Sequence, residues 1–239
     1  MIKRRTNVEI LALGFATVIL VGTFLLLLPI SSNHTDFLDA LFTATSATCV
    51  TGLVVYDTAT HWTLFGQIVI LILIQIGGLG FITIGVFLAT YLKKKISLRQ
   101  RGLIEESVSS LKLAGGVKLV KHIIKGTFLF EGIGAVILSL VFIEDFGLLK
   151  GIYLGIFHSV SAFCNAGFDL LGIIEPYGSL TPYASNIVVN ITIMILIIIG
   201  GLGFVVWQDL YEKKLHFRNY LLQTKIVLIT SFIFIFGGA

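Results

Sequence analysis

The chain has 239 residues, of which 56% are hydrophobic and only 13% are charged. This balance excludes an ordinary soluble domain and predicts an all-α integral membrane protein. The net charge of +4 does not require nucleic acid as a partner, because the basic residues flank apolar segments and can contact anionic lipid.

The first apolar run predicts a membrane span over about residues 8–30, directly after Lys3, Arg4 and Arg5. About 20 apolar residues cross a hydrocarbon core, and this run is longer than the hydrophobic part of a signal peptide. We therefore interpret it as the first span of a multi-pass protein.

Residues 36–53 are too hydrophobic for an ordinary outer loop and too short to cross a membrane. Asp36 is placed as a helix N-cap, and Phe37 and Leu41 follow at helical spacing. The segment predicts a pore half-helix that dips into the membrane and a loop that returns outward, because the next span, about 62–92, begins outside. Non-helical backbone at that depth needs protein or water around it, so the loop implies a cavity.

The same order of elements occurs a second time. A cytoplasmic connector over 93–118 leads to spans at about 119–143 and 183–208, with a pore half-helix and loop over 148–168 between them. A second connector, 209–224, precedes residues 225–239, which are too few to cross and are interpreted as the truncated start of a third repeat. We expect a fragment of a longer protein, with two half-length chains around one pore as the alternative.

Short motifs mark the two repeats. Residues 46–53 read SATCVTGL and residues 161–168 read SAFCNAGF, and each is followed by an identical IGGLGF, at 76–81 and 199–204. Doubled loops followed by doubled glycine-rich helices predict a pore built from repeats. The matched glycines, Gly52 and Gly167, permit backbone conformations in which successive carbonyls point inward.

The charge distribution predicts the orientation. All 17 Lys and Arg residues except Lys150 lie within 1–5, 93–125 or 213–225. The positive-inside rule makes these segments, and with them the N-terminus, cytoplasmic. Each repeat then begins and ends on the same side, which predicts parallel span, re-entrant pore-loop and span repeats around a potassium-channel-like pore, rather than inverted repeats.

These motifs resemble the Trk/Ktr/HKT superfamily of cation transporters, most of all the N-terminal half of the bacterial Ktr potassium-translocating subunits of the KtrB type. The resemblance implies four repeats in one polypeptide and potassium uptake across the cell inner (plasma) membrane through a selectivity filter. It also implies a homodimer of full-length subunits and a cytosolic nucleotide-binding regulatory ring of the KtrA/TrkA kind. The chain itself is expected to contact potassium and lipid, and to have no cofactor, transition metal, nucleic acid or enzymatic activity.

The resemblance further implies which residues form the filter. Their backbone carbonyls would bind the ion, and the residues are Thr48, Cys49, Val50, Thr51, Gly52, Phe163, Cys164, Asn165, Ala166 and Gly167. In the family, glycine at the first filter position goes with potassium and serine with sodium, so Gly52 implies potassium. The alternatives are a sodium- or sodium/potassium-translocating member of the superfamily, an alternating-access carrier, and a membrane scaffold without transport.

The remaining candidates are helix glycines and isolated polar residues. Helix packing around the pore, or a gating hinge, is expected at Gly77, Gly78, Gly80, Gly200, Gly201 and Gly203. The two cysteines are expected to be small packing residues rather than a disulfide or metal pair. Glu131 either has a buried hydrogen-bonding role or contributes to the cation path, whereas His158 is expected to pack.

Overall fold

The computed structural model describes residues 6–80, 116–214 and 216–238. Regular structure in these segments is helical, apart from one antiparallel bridge between Ser32 and Trp62. The helices are α1 (Asn7–Leu26), α2 (Phe37–Thr48), α3 (Thr58–His61), α4 (Leu64–Leu79), α5 (Gly116–Phe146), α6 (Leu148–Phe163), α7 (Ile187–Gly201), α8 (Phe204–Lys213) and α9 (Leu222–Gly237). The prediction of an all-α membrane protein is confirmed.

The first repeat consists of α1, α2 and α4. A capping box begins α1, because the Thr6 side chain accepts from the Glu9 amide while the Glu9 side chain accepts from the Thr6 amide. Half-helix α2 contacts both α1 and α4. Its small buried residues, Ala40, Ala44 and Ala47, let the three helices approach closely.

The second repeat consists of α5, α6 and α7 with the same order of contacts. Gly147, at a φ of +77°, separates α5 from α6 and turns the chain back on itself. Half-helix α6 contacts α5 and α7. The helices are so close that a Cβ on Gly151 would lie 2.6 Å from the backbone nitrogen of Ile143.

The glycine-rich motifs end helices. Gly80, at a φ of +77°, ends α4, and Gly203, at a φ of +87°, separates α7 from α8. The axes of α7 and α8 meet at 91°, so the straight helix expected over 183–208 is broken at Leu202 and Gly203. The expected span 62–92 is described only as far as residue 80, and the connector over 93–115 lies outside the described residues.

The outer surface of the helices is strongly apolar. Among the described residues, Val8–Leu26 and Val120–Phe146 are each long and apolar enough to cross a membrane, and the bent pair of α7 and α8 adds a third candidate. Phe24 on α1, Leu140 on α5 and Phe234 on α9 are 62%, 65% and 78% exposed. Large apolar side chains in such number at the surface fit a lipid environment.

The two repeats share one hydrophobic core. It includes Ile70 and Ile74 of α4 together with Leu138, Leu154 and Phe157 of α5 and α6. Helix α4 of the first repeat contacts α6 of the second. Helix α4 therefore packs against the half-helices of both repeats.

Candidate functional site

The first half-helix ends in a Schellman motif that begins the return loop. The Val50 amide donates to the Ala47 carbonyl at 3.3 Å, and the Thr51 amide donates to the Ser46 carbonyl at 2.9 Å. Val50 has a φ of +50°, the left-handed conformation that the motif requires. Glycine is the usual residue there, so a β-branched valine is held in place by its surroundings.

The second half-helix ends in the same way. The Asn165 amide donates to the Ala162 carbonyl at 3.0 Å, and the Ala166 amide donates to the Ser161 carbonyl at 2.8 Å. Asn165 has a φ of +58°. The two sequence motifs, which are identical at four of eight positions, thus have one backbone geometry.

The two loop glycines are adjacent in space. Gly52 and Gly167 have φ values of +74° and +73°, conformations that favour glycine. A Cβ on Gly52 would lie 2.7 Å from the Ala166 carbonyl oxygen and 3.3 Å from the Gly167 Cα. The backbones of the two return loops therefore meet at these positions.

The first glycine of each glycine-rich motif packs against the end of the half-helix in its own repeat. A Cβ on Gly77 would overlap the Thr48 carbonyl, and a Cβ on Gly200 would overlap the Phe163 carbonyl. Thr48 and Phe163 are the last residues of α2 and α6. The first glycine of the motif is thus in close contact with the end of the half-helix.

The second glycine of the motif differs between the repeats. Gly78 contacts Cys164 of the second loop, since a Cβ on Gly78 would lie 2.7 Å from the Cys164 Cβ. At the matched Gly201, the neighbour recorded is the Asn165 Nδ2, 3.8 Å from the Cβ position. Accordingly Cys164 is buried whereas Cys49 is exposed.

Side chains tie both loops to their half-helices. The hydroxyls of Ser46 and Thr51 lie 2.8 Å apart in the first loop. In the second, Ser161 Oγ donates to the Phe168 carbonyl at 2.6 Å. Asn165 Nδ2 donates to the Phe163 carbonyl at 3.3 Å and to that of Ile197 at 3.4 Å, so it also reaches α7.

His158 is a buried packing and hydrogen-bonding residue, as the sequence predicts. It is 2% exposed. Its Nδ1 lies 2.8 Å from the Leu154 carbonyl, and its Nε2 accepts from the Leu170 amide at 3.3 Å. These contacts assign the neutral ring with the proton on Nδ1, and they join α6 to the chain that follows its loop.

Glu131 lies close to the second loop. It is 4% exposed, and its Oε1 accepts from Gln75 Nε2 at 2.9 Å and lies 4.0 Å from Cys164 Sγ. The buried hydrogen-bonding role is therefore present. Gln75 was not predicted from the sequence, because a polar residue in an apolar helix does not identify its partner.

Asp57 connects a loop of the first repeat to a loop of the second, and no sequence motif singles it out. It is 7% exposed, and its Oδ1 accepts from the amides of Ala59 and Thr60 at the start of α3. Its Oδ2 accepts from the Tyr177 amide of the second repeat at 3.0 Å. An Asp at this N-cap position was the available signal.

The surface near the first turn of α2 is polar. Tyr56 donates to Asp39 at 2.7 Å, and this hydrogen bond raises the pKa of the Tyr56 hydroxyl. The His61 ring stacks on Tyr56 at 3.9 Å, and burial lowers the pKa of His61. Both rings lie outside the membrane-spanning segments. Because its pKa is lowered, His61 is predominantly neutral near pH 7.

Side-chain metal ligands are not clustered: no group of three or more His, Cys, Asp and Glu residues could hold a metal ion in the described part of the chain. The C-terminal ends of α2 and α6, which carry the negative end of each helix dipole, lead directly into the two loops.

Comparison with known proteins gives a consistent result. The family model described as a cation transport protein, TrkH, matches residues 2–234. The chain is 44% identical to the potassium/sodium uptake protein NtpJ of Enterococcus hirae, over 99% of the chain and 52% of that protein. It is 42% identical to the Ktr system potassium uptake protein B of Bacillus subtilis, over 94% of the chain and 49% of that protein.

A third relative agrees in name and extent. The chain is 39% identical to the Ktr system potassium uptake protein B of Vibrio alginolyticus, over 93% of the chain and 48% of that protein. The chain thus spans about half the length of the curated relatives that it matches.

Proposed function

The chain belongs to the TrkH family of cation transport proteins, and on that premise we propose that it contributes half of the ion pathway of a potassium uptake system of the Trk/Ktr type. The observation that carries the proposal is the contact between two matched return loops at Gly52 and Gly167. Each loop follows a half-helix that ends in the same hydrogen-bonding pattern. Ion filters are built from such converging backbone segments.

The filter residues are proposed to be 48–52 and 163–167. Their carbonyls replace water around a dehydrated cation, and the C-terminal ends of α2 and α6 stabilise positive charge at the base of the loops. Left-handed residues at 50 and 52, and at 165 and 167, give the two loops matching backbone geometry. Gly52 supports potassium as the transported ion, because in the family a glycine at this filter position goes with potassium and a serine goes with sodium.

Sodium transport is a second candidate. It is favoured by the name of the Enterococcus hirae relative, a potassium/sodium uptake protein that is 44% identical to the chain. Potassium remains the first proposal, because the two Ktr relatives are named for potassium alone.

Partners and orientation are part of the same proposal. The names of the Ktr relatives refer to a system, which supports a transporter with more than one component. We infer a cytosolic nucleotide-binding ring, a homodimer of full-length subunits, a cytoplasmic N-terminus in the plasma membrane, and transport without catalysis or a cofactor. The basic segments 93–125 and 213–225 support this orientation.

Reconstitution tests the function. The full-length transporter, purified into liposomes with an outward or inward potassium gradient, should carry potassium much faster than sodium. Protein-free vesicles are the control. Equal or faster sodium flux would favour the second candidate, and exchange of an unrelated solute without net cation flux would contradict the pore proposal.

A further inference from the structure

A buried carboxylate joins the two repeats behind the second return loop. Glu131 lies within α5 and is 4% exposed, and its Oε1 accepts a 2.9 Å hydrogen bond from Nε2 of Gln75 on α4. A charged group at this depth is costly unless it is hydrogen-bonded. This bond links a helix of the first repeat to a helix of the second.

The same carboxylate contacts the proposed filter. Cys164 Sγ lies 4.0 Å from Glu131 Oε1. The Cys164 side chain also packs against Gly78 of α4, where a Cβ would come within 2.7 Å of the Cys164 Cβ. Cys164 therefore occupies a slot between α4 and α5, and Glu131 forms one wall of it.

The backbone of Glu131 holds the half-helix as well. Ser159 Oγ of α6 donates to the Glu131 carbonyl at 2.7 Å, and Ser159 is fully buried. One residue thus contacts α4, α6 and the loop that follows α6. The matched cysteine of the first loop, Cys49, is exposed, so this arrangement belongs to the second loop within this chain.

We propose that Glu131 is a positioning residue that fixes the second filter segment against the first repeat, and that cation selectivity depends on it. The inference rests on the proposed function, because selectivity has meaning only if the loops form a filter. Glu131 acts on the ion indirectly: protein covers its carboxylate, and Cys164 lies between it and the filter backbone. Loss of the carboxylate frees the Cys164 side chain and widens the range of loop conformations.

Uptake ratios in the full-length transporter provide the first test. Glu131→Ala removes both side-chain contacts and should lower the potassium-to-sodium uptake ratio about tenfold, the scale of one buried hydrogen bond to a charged group. Glu131→Gln keeps an oxygen that can accept from Gln75, and it should restore most of the ratio. Gln75→Ala should lower the ratio too, and the double variant should lower it no further than Glu131→Ala.

Thr127→Val is the matched control. Thr127 lies one turn before Glu131 on the same helix, is fully buried, and its hydroxyl has no hydrogen-bond partner. Its replacement by a side chain of equal size should leave the ratio unchanged. An equal change in Thr127→Val and Glu131→Ala would assign the effect to general loosening of α5 and overturn the proposal.

Thiol labelling provides a readout that does not depend on transport. With Cys164 as the single cysteine of the full-length protein, a maleimide should react slowly in the parent and about tenfold faster in Glu131→Ala, since the slot is opened. Unchanged labelling and an unchanged ratio in a monodisperse Glu131→Ala protein would refute the inference. If that variant does not fold, the same two results in Gln75→Ala decide. A full-length transporter with its native cysteines that carries no potassium would instead refute the proposed function.

Discussion

At the scale of single residues, the return loops contain two non-glycine residues with a positive φ, Val50 and Asn165. Asn165 is a residue type that tolerates a positive φ, whereas Val50, at +50°, does so rarely. Strained backbone of this kind persists only where neighbouring structure fixes it, and it occurs often at functional sites. The hydrogen bonds to Ser46 and Ala47 supply that constraint here.

Gly52→Ser should reduce potassium uptake relative to sodium. A side chain at Gly52 would meet a φ of +74° and would place its Cβ 2.7 Å from the Ala166 carbonyl oxygen. The loops would have to separate or rotate, and the carbonyls that line the pathway would move with them. Parallel rubidium and sodium uptake in cells that express the full-length protein measures the ratio.

Gly147→Ser separates backbone strain from this contact. Gly147 has a φ of +77°, but nothing lies within 4 Å of its Cβ position. We expect lower stability with an unchanged uptake ratio. A parental ratio in Gly52→Ser itself would argue against the filter assignment.

At the scale of elements, the glycine-rich motif combines two tasks. Its first glycine, Gly77 or Gly200, admits the carbonyl at the end of a half-helix. Its last glycine, Gly80 or Gly203, takes a positive φ and ends the helix. Both tasks need the absence of a side chain, which explains why the motif recurs unchanged in two helices that otherwise differ.

Gly200→Ala should destabilise the protein. Its Cβ would overlap the Phe163 carbonyl at the end of α6, and backbone cannot yield as a flexible side chain does. Overpacking of this kind costs about 1–3 kcal/mol. The unfolding temperature of the detergent-purified protein should fall accordingly.

Gly132→Ala is the control for Gly200→Ala, because Gly132 lies in α5 with nothing within 4 Å of its Cβ position. Alanine is favoured over glycine in a helix by about 1 kcal/mol. The control should therefore be at least as stable as the parent. Similar losses in both variants would contradict the close contact between α7 and the end of α6.

Asp57→Asn should weaken the connection between the outer loops. Its Oδ2 accepts from the Tyr177 amide at 3.0 Å, and its Oδ1 accepts from the amides that begin α3. The asparagine amide has one acceptor oxygen where the carboxylate has two. One buried N–H donor would therefore lose its partner, which should lower the free energy of unfolding by about 1–3 kcal/mol. Thermal unfolding at neutral pH measures the loss.

Asp36→Asn provides the comparison for Asp57→Asn. Asp36 is also an N-cap, but its side chain makes no capping hydrogen bond and is 77% exposed. Its replacement should change the unfolding temperature little. An equally small change in Asp57→Asn would mean that the Tyr177 contact does not hold the outer loops together.

At the scale of the molecule, the two repeats do not contact each other through equivalent surfaces. Gly78 of the first repeat contacts Cys164 of the second, whereas Cys49 is exposed and Gly201 has only one neighbour recorded near its Cβ position. The two loops meet at Gly52 and Gly167. Under the proposed function, further repeats would supply the remaining carbonyls of the filter.

The 239-residue chain by itself should not conduct potassium. A filter of carbonyls must surround the ion, and backbone that faces lipid without partners is unstable. Potassium flux from the purified chain in liposomes should equal that of protein-free vesicles, while the full-length transporter conducts. Potassium-selective flux from the chain alone would show that two repeats suffice, as a pore of paired half-length chains would require.

The sequence by itself determined the membrane class, the repeats and the family. Long apolar runs indicate that a helix is surrounded by lipid rather than water. The recurrence of SATCVTGL and SAFCNAGF indicates a duplicated element without any knowledge of the tertiary structure. The doubled glycine motif likewise predicts close helix packing, because only glycine permits a very close approach of two backbones.

Only the tertiary structure decided which residues meet across the repeats. Gln75 and Glu131, Gly78 and Cys164, and Asp57 and Tyr177 are far apart in the chain, and neither periodicity nor motif spacing pairs them. The 91° bend between α7 and α8 at Gly203 could not be predicted from the sequence either, because hydropathy measures how apolar a segment is and not the direction of its helix axis. Side-chain contacts over long sequence separations depend on how helices pack, and packing is a property of the folded molecule.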